Sequence, residues 1–180
     1  MKKLILAIVI LIIIGFVWFG GNDSTPIASG KPIKIGAILP LTGAQAQVGE
    51  GLRNALNLAK KNYTGDLQFE LIFEDSALDA KTAVSAANKL INIDNVLAIV
   101  DAYAPIGNAV SPITESAKVP HINIAFDPNI AKGDYNFVHF TPPTSASELF
   151  ISELSRRGIK KIAVLRINNQ GIQALFDEFK

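Results

Sequence analysis

The sequence predicts an α/β fold built on a doubly wound parallel sheet, and three observations carry that prediction. From Ile33 onward, apolar runs rich in β-branched residues alternate with segments whose apolar positions recur at helical spacing, the pattern of βαβ units. The apolar runs carry few polar residues on either face, as strands covered by helices on both sides must. The junctions are punctuated as such a fold requires: Asp79 stands where a helix N-cap belongs, Pro120 sits between a helix and the next strand, and Gly158 follows a helix end rich in cations.

Taken in order, residues 33–39 are the first strand, and residues 67–73, 96–100, 121–125 and 161–167 are the strands that follow. Between them, residues 51–61, 80–91 and 106–117 read as helices; Ala83, Ala86, Ala87, Leu90 and Ile91 trace one apolar stripe. Asp127-Pro128-Asn129 opens a looser stretch that runs to Phe137-Val138-His139-Phe140. Thr141 to Thr144 then opens a helix over residues 145–156, closed by Arg156, Arg157 and Gly158. The Pro142-Pro143 pair marks a crossover into a second lobe. This divides the chain into an N-terminal segment (1–21), a linker (22–32), an N-terminal α/β lobe (33–141) and the beginning of a second lobe (142–180). One strand and two helices cannot bury a core of their own, so the second part reads as truncated.

The first segment bears on location. Lys2 and Lys3 precede an unbroken apolar run from Leu4 to Phe19, which Gly20 and Gly21 extend. That is longer than the apolar region of a removable signal, about 7–15 residues, and close to the roughly 17–25 that span a bilayer. The nearest small-residue cleavage pattern, Ala28-Ser29-Gly30, lies well beyond it, so the run reads as a transmembrane anchor more than as a leader. The lysines keep the N-terminus inside and put the remainder outside. Residues 22–32, with Ser24, Pro26, Ser29, Gly30 and Pro32, read as a tether.

Composition narrows the function. With 17 basic and 16 acidic residues the net charge is +1, and no basic stripe suits a nucleic-acid partner. The absence of cysteine excludes disulfides, thiolate nucleophiles, Cys-ligated metals and lipid attachment at an N-terminal cysteine. Gly43, Gly49 and Gly51 do not fit a dinucleotide fingerprint, and neither a phosphate-binding loop nor a G-x-S-x-G elbow occurs. No cofactor, metal or catalytic residue is therefore expected, and the chain does not read as an enzyme. Asp75, Asp101 and Asp127 each follow a strand and are expected along one edge of the sheet, where Asp commonly serves turns. Tyr103 lies between Asp101 and a helix start. His121 and His139 each lack a converging partner and read as structural.

Several segments then match one family in register. Leu41-Thr-Gly-Ala-Gln-Ala-Gln-Val-Gly49 resembles the opening of leucine-binding solute receptors of ABC transporters; Glu74 to Leu90, with Ala-Ala-Asn-Lys-Leu at its end, is similar to their second strand and helix. Ala109 to Ile122 resembles the third helix and fourth strand, and Lys160 to Leu165 the strand that opens the second lobe. The resemblance implies a type I periplasmic-binding-protein lobe, one half of a receptor that closes on a small amino-acid-like ligand outside the membrane and serves an ABC permease. It also implies ligand contacts at Val48, Ala104, Ala125 and Asp127; Tyr103, beside them at the helix start, is expected to pack against the ligand. Where leucine-type receptors often carry an aromatic, a serine and a threonine, this chain has Val48, Ala104 and Asp127. A membrane-anchored sensory receptor uses the same fold, and a generic α/β hydrolase is a more distant alternative.

Overall fold

The computed structural model describes residues 30–125, 127–140, 143–165 and 170–177. The expected anchor over residues 1–21 and the linker up to residue 29 lie outside them, and among the described residues no helix is long and apolar enough to cross a membrane.

Five strands form one sheet: β1 (Ile33–Leu39), β2 (Phe69–Asp75), β3 (Ala98–Ala102), β4 (His121–Ile124) and β5 (Asn136–Val138). Their order is β2-β1-β3-β4-β5, and every neighbouring pair is parallel. Parallel neighbours need crossovers, which are supplied by α1 (Ala46–Asn62), α2 (Ala80–Lys89) and α3 (Ala104–Ala117). Asp79 caps α2 as expected, accepting from the Thr82 N–H at 2.8 Å.

The chain leaves β1 for one edge of the sheet at β2, then returns past β1 to lay down β3 on the other side. Because such crossovers are right-handed, the reversal places α1 on one face and α2 with α3 on the other. The larger core lies under α2 and α3, where Ile38 and Ile99 from the sheet meet Ala83, Ala87, Leu90, Ile106 and Val110. The alternation is strict: Gly36 lies on the same face as Ile38, and a Cβ there would stand 2.8 Å from Leu90 Cδ1. A smaller cluster of Ala104, Ala125 and Ile130 sits at the far end of β4.

Three expectations need correction. β2 and β3 begin two residues later than expected, at Phe69 and Ala98, and run two residues further, to Asp75 and Ala102. The pairing explains the shift, since Ile33 at the start of β1 lies opposite Phe69, and the carboxylates at the end of β2 have partners that let the strand run on: Glu74 pairs with Lys89, and Asp75 with the loop after β1. Residues 161–167 were expected as a strand, yet residues 161–165 form none and are exposed. A strand requires a neighbour for its N–H and C=O groups, and among the described residues this segment has none. The remaining elements, α4 (Pro143–Arg156) and α5 (Gln170–Asp177), flank it.

Candidate functional site

In an open parallel sheet the ligand crevice lies outside the carboxyl ends of the strands where the winding reverses. Here that point falls between β1 and β3. The loop after β1 and the turn after β3 flank it, and one hydrogen bond joins them: the Tyr103 hydroxyl donates to Gln45 Oε1 at 3.0 Å. Burial pushes the Tyr103 phenol pKa up, so it stays a donor.

Three of the five positive-φ non-glycine residues among the described residues lie along the same rim, the other two, Asn95 and Lys118, closing helices elsewhere. Ala77, Leu78 and Tyr103 all have positive φ, at 46°, 57° and 75°, in loops that follow β2 and β3. Non-glycine residues in such conformations persist only where their surroundings over-determine them, most often at functional sites. The surroundings here are named side chains. Asp75 Oδ1 accepts from the N–H groups of Leu41 and Ala77 at 2.8 Å each, and its Oδ2 accepts from Thr42 Oγ1. Burial pushes this carboxyl up, but the bonds from Thr42, Ala77 and Leu41 outweigh it and hold its pKa below the ordinary value. Asp75 thus stitches the loop after β1 to the loop after β2.

The five residues expected to contact a ligand all come to this carboxyl edge, in different ways. Val48, expected in the first loop, lies instead in the first turn of α1 and is 46% exposed. The helix begins early because Gly49 lets it approach β1: a Cβ at Gly49 would collide with the Pro40 carbonyl. Tyr103 caps α3, Ala104 is the first residue of that helix and Ala125 follows β4. Both alanines are buried. Among the described residues, neither the Ala104 N–H nor the Ala125 N–H meets an acceptor.

Asp127 caps the short turn Pro128–Ile130 and is 8% exposed. Its Oδ1 accepts from the Asn129 N–H and Nδ2, both at 2.9 Å, and its Oδ2 from Asn108 Nδ2 at 2.8 Å. Burial raises its pKa, while Asn108, Asn129 and the charge of Lys132 outweigh that and hold it low. Asp101 departs from expectation: it lies inside β3 with its side chain fully buried, hydrogen-bonded by Asn123 at 2.5 Å, and does not reach the rim. His121, expected as structural, is buried beside Asp101.

The rim carboxylates are therefore occupied internally, and the groups left at the crevice are donors and apolar surface. Beside it, a cavity of about 480 Å³ opens at the ends of β4 and β5, lined by Ile124, Val138, His139 and Phe140. Among the described residues no cluster of three or more potential metal ligands occurs. Sequence reading did not single out Gln45, Asn108 or the loop-stitching role of Asp75; a glutamine beside a helix start carries no pattern that distinguishes it from a surface residue.

A model of the periplasmic binding protein family matches residues 32–180. Curated proteins offer no match to the chain. Among solved structures it is similar to a leucine-binding protein from Thermotoga maritima MSB8, at 24% identity and TM-score 0.62, over 70% of this chain and 38% of that one. It is also similar to a solute-binding protein of an ABC transporter from Rhodopseudomonas palustris BisB5, solved in complex with 3,4-dihydroxybenzoic acid, at 25% identity and TM-score 0.70, over 82% of this chain and 44% of that one. An ABC transporter substrate-binding protein from Sphaerobacter thermophilus matches at 28% identity and TM-score 0.58, over 69% of this chain and 37% of its own. The chain thus spans well under half the length of these proteins.

Proposed function

Because the chain belongs to the periplasmic binding protein family, we propose that it forms the N-terminal wall of an extracytoplasmic solute receptor, tethered by its first segment, that binds a small amino-acid-like or aromatic acid and hands it to an ABC permease. The observation that carries this reading is the winding reversal between β1 and β3, where the Tyr103–Gln45 bond joins the two loops beside strained backbone. Its chemistry supports an acid as ligand. Asp75 and Asp127 spend their oxygens within the lobe, while the Ala104 and Ala125 N–H groups remain as donors for a ligand's carboxylate. Val48 and the cavity lined by Ile124, Val138 and Phe140 offer apolar surface for its body. The names of the similar structures, one a leucine-binding protein and one holding 3,4-dihydroxybenzoate, agree with that class.

Thermal-shift screening of the complete protein against amino acids, their amides and small aromatic acids tests the reading. A ligand at 100 times its Kd stabilises the protein by about 2.7 kcal/mol, and Tyr103→Ala should remove the shift. If every acid leaves the melting temperature unchanged, or if the shift survives loss of Tyr103, the crevice is not the binding site.

A further inference from the structure

Beneath α3 the buried polar side chains form one connected network, which touches the crevice where Asn123 Nδ2 donates to the Tyr103 carbonyl at 3.3 Å. Asp101 on β3, Thr114 on α3, His121 and Asn123 on β4, and Asn136 on β5 are all buried. The Asn136 amide is oriented by its surroundings. Its Nδ2 meets three acceptors, Ser111 O at 3.1 Å, Lys132 O at 3.2 Å and Glu115 Oε2 at 2.9 Å. Its Oδ1 therefore faces Thr114 Oγ1 and His121 Nδ1, each at 2.8 Å. An amide oxygen only accepts, so His121 Nδ1 carries a proton.

The other ring nitrogen, Nε2, lies 2.9 Å from Asp101 Oδ1. A bare Nε2 there would press its lone pair against a carboxylate while both side chains are fully buried, which is costly. One further proton must reside on the pair, on Nε2 or on the carboxyl. Asp101 Oδ2 and Asn123 Oδ1, buried acceptors with no donor among the described residues, add to the preference for a protonated site.

We propose that Asp101 and His121 hold one shared proton as a unit, and that its loss at alkaline pH loosens the edge strand β5, making the approach to the crossover pH-sensitive. The network is well placed for this. β5 is three residues long, pairs among the described residues only with β4, and has Asn136 as its one buried residue. Through Asn136 it is tied to His121 and to Ser111, Thr114 and Glu115 on α3. His139 and Phe140 follow directly on the path toward α4.

The titratable groups facing His121 are Asp101 from β3 and, through Asn136, Glu115 from α3. Asn123 and Asn136, the side chains that β4 and β5 add, are neutral. Burial pulls the imidazole down, but the hydrogen bond and charge of Asp101 and the bond to Asn136 outweigh it and hold it above its ordinary value. Burial pushes the Asp101 carboxyl up despite His121 and Asn123. Both directions have one sign. One shared proton gives one transition: the stabilisation is complete below the free-histidine value of about 6.5 and is lost as pH rises through the folded value of the pair.

Nuclear magnetic resonance on the unmodified protein decides the matter. The ¹⁵N ring signals of His121 and the ¹³C carboxyl signal of Asp101 should report a deprotonation above the free-histidine value. Across it, exchange of the His121 and His139 amides, which bond to Tyr135 O and Asn123 O, should quicken at least tenfold relative to amides of the β1–β3 ladder. Asp101→Asn should lower the His121 transition and flatten that response. A His121 transition at or below the ordinary value, or β5 protection that stays constant across it, overturns the proposal, and neither reading depends on a variant folding.

Discussion

At φ 75° and ψ 136°, Tyr103 occupies backbone space better suited to glycine. Its ring is packed against the core under α3 and its hydroxyl is tied to Gln45. These attachments hold the strained geometry, and they separate in two variants. Tyr103→Phe keeps the ring and the strain but removes the bond across the crevice, a loss of about 0.5–1.5 kcal/mol. Calorimetry should show ligand affinity reduced roughly threefold to tenfold beside that loss of stability; an unchanged affinity would make the bond structural only. At Gly107 the logic is steric. A Cβ there would run into the Asn123 amide and stand 2.8 Å from Ile130 Cδ1, so Gly107→Ala should cost about 1–3 kcal/mol by denaturant titration. Such residues were only partly legible. Asp101 was expected at the sheet edge and His121 without a converging partner; what joins them is the β3–β4 register, which sets Asp101 opposite Asn123 and beside His121. Nothing in the sequence gives the positive φ of Tyr103 or the choice of Gln45 as its partner, because both arise from contacts between residues 58 positions apart.

Among elements, the loop between β1 and α1 depends on a residue supplied by β2. Asp75 takes the N–H groups of Leu41 and Thr42 and the Thr42 hydroxyl; without it Thr42 loses these bonds and the Leu41 N–H keeps only the Leu39 carbonyl. Asp75→Ala should destabilise the lobe by about 1–2 kcal/mol and weaken ligand binding, because the loop carrying Gln45 loses its brace. The pH dependence has a definite sign. A carboxyl held below its ordinary value contributes stability that is complete above about 3.9 and is lost as pH falls through the folded value. Acid denaturation of Asp75→Asn should accordingly begin from lower stability and show a shallower limb below that pH; an unchanged limb would mean the bonds contribute little. The order of strands and helices followed from periodicity because each element buries its own stripe. Boundaries did not, since register across β1 and β2 and the close approach allowed at Gly49 decide where β2 and α1 begin. The failed strand over residues 161–165 has a related cause: its apolar run satisfies the local pattern, but pairing is a property of two strands.

Across the whole molecule, stability should be graded according to what each segment is paired with. β1 and β3 are flanked on both sides in the sheet, and Ile38, Leu39 and Ile99 are fully buried. Their amides can exchange with solvent only when the lobe unfolds as a unit. On the face opposite α3 the cover is thinner: Ile122 and Phe137 are cross-strand partners and remain 42% and 52% exposed. Farther along, Leu149, Val164 and Leu165 are 73%, 54% and 102% exposed. Apolar side chains in such number at the surface mark places where burial has not been completed. Native-state hydrogen exchange on this 180-residue chain should resolve three levels: slowest in β1 and β3, intermediate in β4 and β5, and close to the free-peptide rate over residues 161–165. Protection of residues 161–165 comparable to that of β1 would require a strand partner there and would contradict the irregular, exposed geometry of that segment.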